Sequence, residues 1–299
     1  MSTQIPRSVC PCCHGSSIGK VLECKDYTVS GEMFEVWECD DCKLRFTQRV
    51  PDQLSIGRYY QSDLYISHTD TEKGFVNKLY KIARNYTLNW KMKLVSRQTG
   101  KTNGNILDIG AGTGAFVNKV VSKNWMATGL EPDEGARRIC SEKYNLQLQS
   151  PDILSELPST QFDAVTMWHV LEHVHQLHEY LDQIKRVLKK DGVALIALPN
   201  YTSEDATEYG AAWAAYDVPR HLYHFAPSSI NRLAALHGMK VNAIKPMWLD
   251  ALYIAMLSEG YKNGRSNLLA AMWQGARSNL YAWRNTEKCS SLVYIIQHL

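Results

Sequence analysis

No stretch of this 299-residue chain is apolar over the roughly 20 positions that a membrane-spanning helix requires; the run from Val193 to Leu198 is far short of it. The opening residues, MSTQIPRSVCPCC, lack a basic segment followed by an apolar one, so the chain is expected to be cytoplasmic. Charge of one sign is also scarce. The 33 Lys/Arg and 30 Asp/Glu leave a formal charge of +3, too small to argue for a nucleic-acid or membrane partner. Repeats and low-complexity tracts are absent. Beyond residue 42 cysteine nearly disappears: six of the eight lie before residue 43, and only Cys140 and Cys289 follow. In the cytosol such cysteines are thiols or metal ligands rather than disulfides. These absences divide the chain into a Cys-rich segment (1–50), a Tyr-rich and basic connector (51–103) and an alternating strand/helix region (104–299).

What stands in the first segment is ordered. Cys10-x-x-Cys13 and Cys39-x-x-Cys42 form two pairs of equal spacing, which offer four thiolates from two tight knuckles, as tetrahedral zinc demands. About 45 residues cannot bury enough apolar surface to fold alone, so a metal staple has a physical purpose. With all four positions filled by protein the site is structural and closed, a small zinc ribbon. Cys12 or His14 could substitute in the ligand set. Cys24, Cys140 and Cys289 read as small buried hydrophobes. The ribbon is not basic: residues 1–50 hold six Lys/Arg against seven Asp/Glu, a net of −1, which argues against RNA binding.

In the connector, residues 73–101 contain eight Lys/Arg and no acidic residue. Phe75, Leu79, Ile82, Tyr86 and Trp90 recur at helical spacing, which predicts an amphipathic helix with a solvated basic face. The same face could dock an anionic substrate. Before it, Tyr59 to His68 (YYQSDLYISH) gathers three tyrosines and a histidine that could pack the connector or line a pocket.

The third segment opens with NILDIG, residues 105–110, a short buried strand running into Gly110, Gly112 and Gly114, then a helix from Ala115 to Lys123. Strand, glycine loop and helix make a nucleotide cradle. Asp108 selects the ligand, because a carboxylate at the loop repels a pyrophosphate and suits a molecule carrying an ammonium and a sulfonium. Glu131, 21 residues after Gly110, ends the next strand (Met126 to Leu130), where a carboxylate accepts ribose hydroxyls. After a third short strand Asp152 is placed to accept from an adenine amino group. Phe162–Met167, Val193–Leu198, Val241–Ile244 and Leu292–Ile296 supply further strands, and Leu177, Leu181, Ile184 and Leu188 mark a helix face. The alternation predicts a Rossmann-like, seven-stranded, mostly parallel doubly wound α/β sheet.

LDIGAGTGAF, GLEP, FDAVTMWHVLEHV, RVLKKDGVALIALPN and DVPRHLYHF resemble the class I methyltransferases related to ubiquinone-pathway O-methyltransferases, and more narrowly bacterial proteins with a Cys-x-x-Cys ribbon before that domain. The resemblance implies S-adenosylmethionine as cofactor and structural zinc in the ribbon. It assigns cofactor contacts to Asp108, Gly110, Gly112, Gly114, Glu131 and Asp152; Trp168, at the end of the fourth strand, joins them as a candidate. A small-molecule acceptor is expected, O- or C-methylated; an RNA methyltransferase or a silent cofactor-binding module are the alternatives.

Alignment supplies most of the rate of methyl transfer, but a hydroxyl or carbon acceptor must also lose a proton, and histidine suits that near neutral pH. His169 and His173 follow the fourth strand, and His221 and His224 lie in the late DVPRHLYHF loop. His173 is the first choice as base, with the other three as candidates. His169-x-x-Glu172-His173 also matches an inverted zinc-protease pattern, but it abuts a strand where that pattern needs a helix. The ubiquinone-pathway relatives can bind a divalent metal at this point; His169 stands where they have a Glu.

Overall fold

The computed structural model describes residues 4–61, 75–265 and 267–299, and of residues 75–82 the backbone alone. Tyr65 and His68 of the connector therefore lie outside the described residues, as do the side chains of Phe75, Leu79 and Ile82.

Strands β1 (Gln4–Ile5) and β5 (Val50–Pro51) pair as a short antiparallel ladder around β2 (Ile18–Lys25), β3 (Met33–Cys39) and β4 (Arg45–Thr47). The β2–β3 turn is fixed by the buried Asp26, whose carboxylate accepts from the backbone N–H groups of Thr28, Val29 and Ser30. The sheet does not end with its own chain segment. β10 (Tyr223–His224) pairs antiparallel with β4, Tyr223 opposite Phe46. Leu44, Phe46 and Val50 share one apolar core with Leu222, Phe225, Ile230 and Leu233. The Cys-rich segment thus folds onto the later domain instead of standing apart from it.

The central sheet holds β6 (Asn105–Ile109), β7 (Met126–Leu130), β8 (Phe162–Trp168), β9 (Leu188–Pro199), β11 (Met239–Pro246) and β12 (Ser291–His298) in the order β11-β12-β9-β8-β6-β7. β7, β6, β8 and β9 run parallel, and β12 is inserted antiparallel between β9 and β11. β8 and the Val193–Pro199 part of β9 are buried almost throughout because helices cover both faces of a parallel sheet. Among the described residues the sheet has six strands where seven were expected. The missing one is reduced to a single parallel bridge between Leu130 and Gln149. Asn145, in the left-handed conformation, caps the preceding helix, and Pro151, which lacks an N–H, opens the next turn. Too few residues remain between them for a ladder.

Helix α1 (Phe75–Thr99) is the expected connector helix. It is followed by α2 (Ala115–Val121), α3 (Glu134–Tyr144) and α4 (Leu177–Val187), the last burying Leu177, Leu181, Ile184 and Val187 at helical spacing. Asp163, at the start of β8, locks the lower edge of the sheet by accepting from Lys101, Lys189 and the Asn105 N–H. Burial opposes its charge, but these donors outweigh it and hold the carboxyl at about 2. The C-terminal third adds α5 (Glu204–Tyr209), α6 (Pro227–Leu236), α7 (Asp250–Asn263) and α8 (Leu268–Arg284). Between α5 and β10 the fully buried Arg220 bridges Asp217 (2.6 Å) and Asp26 of the β2–β3 turn (2.9 Å), and donates to the Tyr59 carbonyl. Among the described residues no helix is long and apolar enough to cross a membrane.

Candidate active site

The parallel strands β6, β7 and β8 all end at one edge of the sheet, where open α/β folds bind ligands. Register sets the first contact. Thr166 of β8 stands opposite Asp108 of β6, and its hydroxyl donates to the carboxylate at 2.6 Å. Asp108 is 2% exposed, and burial pushes its carboxyl up to about 7 despite Thr166 and the nearby Lys91. A cation brought to it would restore the carboxylate.

The three loop glycines all have positive φ but differ in purpose. A Cβ at Gly110 would collide with Val170, and one at Gly114 with Cys140; these two are needed for packing. A Cβ at Gly112 would meet nothing within 4 Å among the described residues, so this backbone faces open space there. Its N–H donates to Glu131 Oε2 at 2.7 Å, and the Asp133 N–H donates to Oε1 at 3.0 Å. Burial raises the Glu131 carboxyl, partly offset by these two donors. Trp168 lies at the end of β8, edge-on to Phe116 at 5.4 Å, with its Nε1 buried and without a hydrogen-bond partner among the described residues. Asp152 is exposed in the turn after Gln149 and accepts from the Ser150 hydroxyl at 2.7 Å.

Lys91 of α1 belongs to this cradle, and the sequence did not single it out among eight basic residues. Its Nζ stands 4.3 Å from the centre of the Trp168 ring, a cation–π contact. Burial pushes its ammonium down to about 8, although Asp108 and Asp250 both favour the charged form.

Beyond β8 the chain turns at His169, a non-glycine residue at φ +60°. Its Nε2 meets Asp250 at 3.0 Å and its Nδ1 lies 3.6 Å from Glu172. Burial alone would lower its pKa, but the two carboxylates outweigh it and hold His169 at about 9. It is an imidazolium at neutral pH and has no lone pair with which to take a proton, which removes it from the candidate bases. A raised pKa stabilises the fold fully below the ordinary value near 6.5, and that gain is lost as pH rises through 9. The stability difference between wild type and His169→Gln should therefore shrink between pH 6.5 and 9 in urea titrations. A difference constant over that range contradicts the ion-pair account.

Glu172, His173 and His221 form a second cluster, with ligand atoms all within 4.8 Å of one another. The Leu222 N–H donates to the Glu172 carbonyl at 2.8 Å, which docks the DVPRHLYHF loop onto the strand end. His173 Nδ1 meets the Arg220 carbonyl at 3.0 Å, and His221 Nδ1 meets the Ala215 carbonyl at 2.9 Å. A carbonyl only accepts, so each Nδ1 carries a proton, and in the neutral His173 ring Nε2 keeps the lone pair. Burial, then the neighbouring His221, lowers His173 to about 4. Both oxygens of Glu172, 1% exposed, lack hydrogen-bond partners among the described residues. His224 is not part of this group. β10 carries it into the N-terminal sheet, where Nε2 meets the Thr47 hydroxyl at 3.1 Å and burial holds it neutral.

The two cysteine pairs also converge. Each knuckle closes by the same bond, His14 N–H to Cys10 carbonyl and Lys43 N–H to Cys39 carbonyl, with His14 and Lys43 in the left-handed conformation. Cys10 and Cys42 lie 3.5 Å apart, as do Cys13 and Cys39. All four sulfurs fall within 4.8 Å of one another; a zinc tetrahedron with 2.3 Å bonds needs about 3.8 Å between sulfurs. Contact with Cys42, then burial, pushes the Cys10 thiol up, a strain that a cation reverses. Cys12 points to the Ser229 carbonyl and His14 stacks on His178, so neither joins the set.

Comparison with known proteins agrees with this geometry. The family model described as a methyltransferase domain matches residues 80–244, more than half of the chain. A ubiquinone biosynthesis O-methyltransferase from Rickettsia bellii (strain OSU 85-389) is 22% identical over 207 residues, 62% of this chain and 85% of that relative. An uncharacterized methyltransferase from Anoxybacillus flavithermus is 25% identical over 153 residues, 47% of this chain and 72% of the relative. Among solved structures, a geranyl diphosphate C-methyltransferase from Streptomyces coelicolor A3(2) superposes with a TM-score of 0.53 at 12% identity, covering 77% of this chain and 86% of that one, a likeness of fold. Carboxylates at the ends of two adjacent parallel strands, the open glycine loop between them and this family match make the chain a class I S-adenosylmethionine-dependent methyltransferase.

Proposed function

We propose that this methyltransferase acts on a small molecule whose accepting atom carries a proton, and that His173 removes it. The observation that supports this reading is the tautomer of His173: its Nδ1–H is engaged by the Arg220 carbonyl, which leaves a neutral Nε2 on the turn that follows β8. The cofactor supplies a methyl group on a sulfonium, open to in-line attack. Asp108 would hold its ammonium, Glu131 its ribose, and the open backbone at Gly112 would admit it; Asp152 would read the adenine from the rim. Lys91, over Trp168, would pair with its carboxylate. A base at about 4 is weak, but an oxygen that has begun to bond a methyl group is strongly acidic, so the proton leaves late and Nε2 suffices. His221 would orient the acceptor. In the ribbon Cys10, Cys13, Cys39 and Cys42 would hold a structural zinc.

One observation favours a second reading of the same cluster. The Glu172 carboxylate, which has an ion pair with His169 but no hydrogen bond among the described residues, and two imidazoles, each with its other nitrogen on a carbonyl, fit a divalent cation. Such a cation would polarise an acceptor oxygen, and His173 would then be a ligand. Activity of dialysed protein that depends on added magnesium or manganese supports that reading; independence supports the base.

The acceptor class is tested by incubating the intact chain, methyl-labelled cofactor and either a small-metabolite extract or total RNA. Label is expected in the metabolite fraction. Label in RNA alone overturns the proposal.

A further inference from the structure

Helix α8 has its apolar face on the outside. The side that packs on α7 and α5 is small or polar: Ala271, Gln274, Gly275, Ser278 and Ala282 are all buried. Gly275 permits that approach, since a Cβ there would stand 2.7 Å from the Leu252 side chain and 3.0 Å from its Cα. Ser278 donates to Asp205 at 2.8 Å. The opposite side presents Leu269, Met272, Trp273, Leu280 and Trp283, exposed by 80, 54, 73, 53 and 78%. At 3.6 residues per turn these five and Ala276 fall within about 100° of one another, a single stripe. Burying them would gain more than burying the face that is buried. A stripe of this kind marks an interaction surface.

Three features select the occupant. Taking about 150–250 Å² for a large side chain, the five expose roughly 700 Å², near the ~800 Å² per partner of a stable interface. Second, no acidic residue occurs in the helix, and Arg277 is committed to Glu204 at 2.8 Å. Arg284 alone is then left in the helix to meet lipid phosphate, too little cationic support for a bilayer surface. Third, the stripe is complementary to itself. A two-fold axis through Ala276 sets Leu269 against a second Trp283 and Met272 against a second Leu280, with the small residue where the backbones cross.

We infer that α8 is the seam of a two-fold homodimer in which the Leu269–Trp283 stripes of two copies lie antiparallel. In sedimentation the full chain should run near 68 kDa, twice the 34.0 kDa of one chain. Ala276→Arg, at an exposed position on the axis, should halve that mass while its circular-dichroism spectrum stays that of the folded chain and its unfolding temperature no longer rises with protein concentration. Ala276→Cys should form a disulfide between copies on mild oxidation, because the axis brings residue 276 to itself; Arg265→Cys, in the loop before α8, should not. A wild-type monomer, a dimer that survives Ala276→Arg, or equal crosslinking of both cysteine variants overturns the inference. So does a monomer whose tryptophan emission shifts on anionic vesicles, which would assign the stripe to lipid.

Discussion

Stripping metal from the native protein with a strong chelator is expected to dismantle the β2–β3–β4–β10 sheet, not merely loosen a tail. Structural zinc in such sites supplies folding free energy on the order of 10 kcal/mol, comparable to the whole stability of a domain. The damage should spread because the knuckles share their core with the methyltransferase domain. Cys10, Cys39 and Cys42 pack with Leu222, Tyr223 and Ile230 in one cluster. Thr47 of β4 donates its hydroxyl to the His221 carbonyl at 2.7 Å, and its N–H donates to the Leu222 carbonyl at 3.0 Å. Loss of the ribbon therefore frees the loop that carries His221. Metal analysis should return one zinc per chain, Cys39→Ser should abolish it, and methyl transfer should fall with the circular-dichroism signal of the sheet. Zinc-free protein whose spectrum and activity match the native would falsify the staple.

His173→Ala should lower turnover by about 10²–10⁴-fold while affinity for the cofactor stays near wild type. On this proposal the imidazole meets the acceptor and not the cofactor, while its Nδ1 bonds the Arg220 carbonyl at 3.0 Å and meets the Tyr60 hydroxyl at 3.1 Å. His221→Ala should mainly raise KM. Because His173 is held at about 4, it is neutral across the physiological range, and turnover should show an acid limb only as pH falls toward 4. A His173→Ala enzyme within a few-fold of wild type, or an acid limb near 6.5, is incompatible with this role.

The parts of the site that the sequence displays are those built from neighbours in the chain. Asp108, Gly110, Gly112 and Gly114 belong to one strand–loop–helix unit, and Glu131 ends the next strand, so spacing alone brings them together. The six strands of the sheet were legible for the same reason, as runs of apolar residues bounded by turns. What failed to appear depended on distant packing. Lys91 differs from the other basic residues of α1 only by lying over Trp168, 77 positions later. His169 looked like a base until Asp250, 81 residues away, was brought against it. His221 and His224 look interchangeable in DVPRHLYHF, yet the pairing of β10 with β4 sends only the second into the ribbon sheet. Helix α8 misleads in the other direction, since its apolar stripe has the spacing of a core face and is turned to solvent.

S-adenosylmethionine is expected to bind in the cradle at Asp108, Gly112 and Glu131. Calorimetric titration of the intact chain is the most direct test. One molecule per chain should bind, with a gain of about 2.7 kcal/mol in stability at 100 times the dissociation constant. Glu131→Ala should weaken binding more than tenfold while the unfolding temperature of the free protein changes little. No heat with S-adenosylmethionine, together with saturable binding of NADH, would contradict the account.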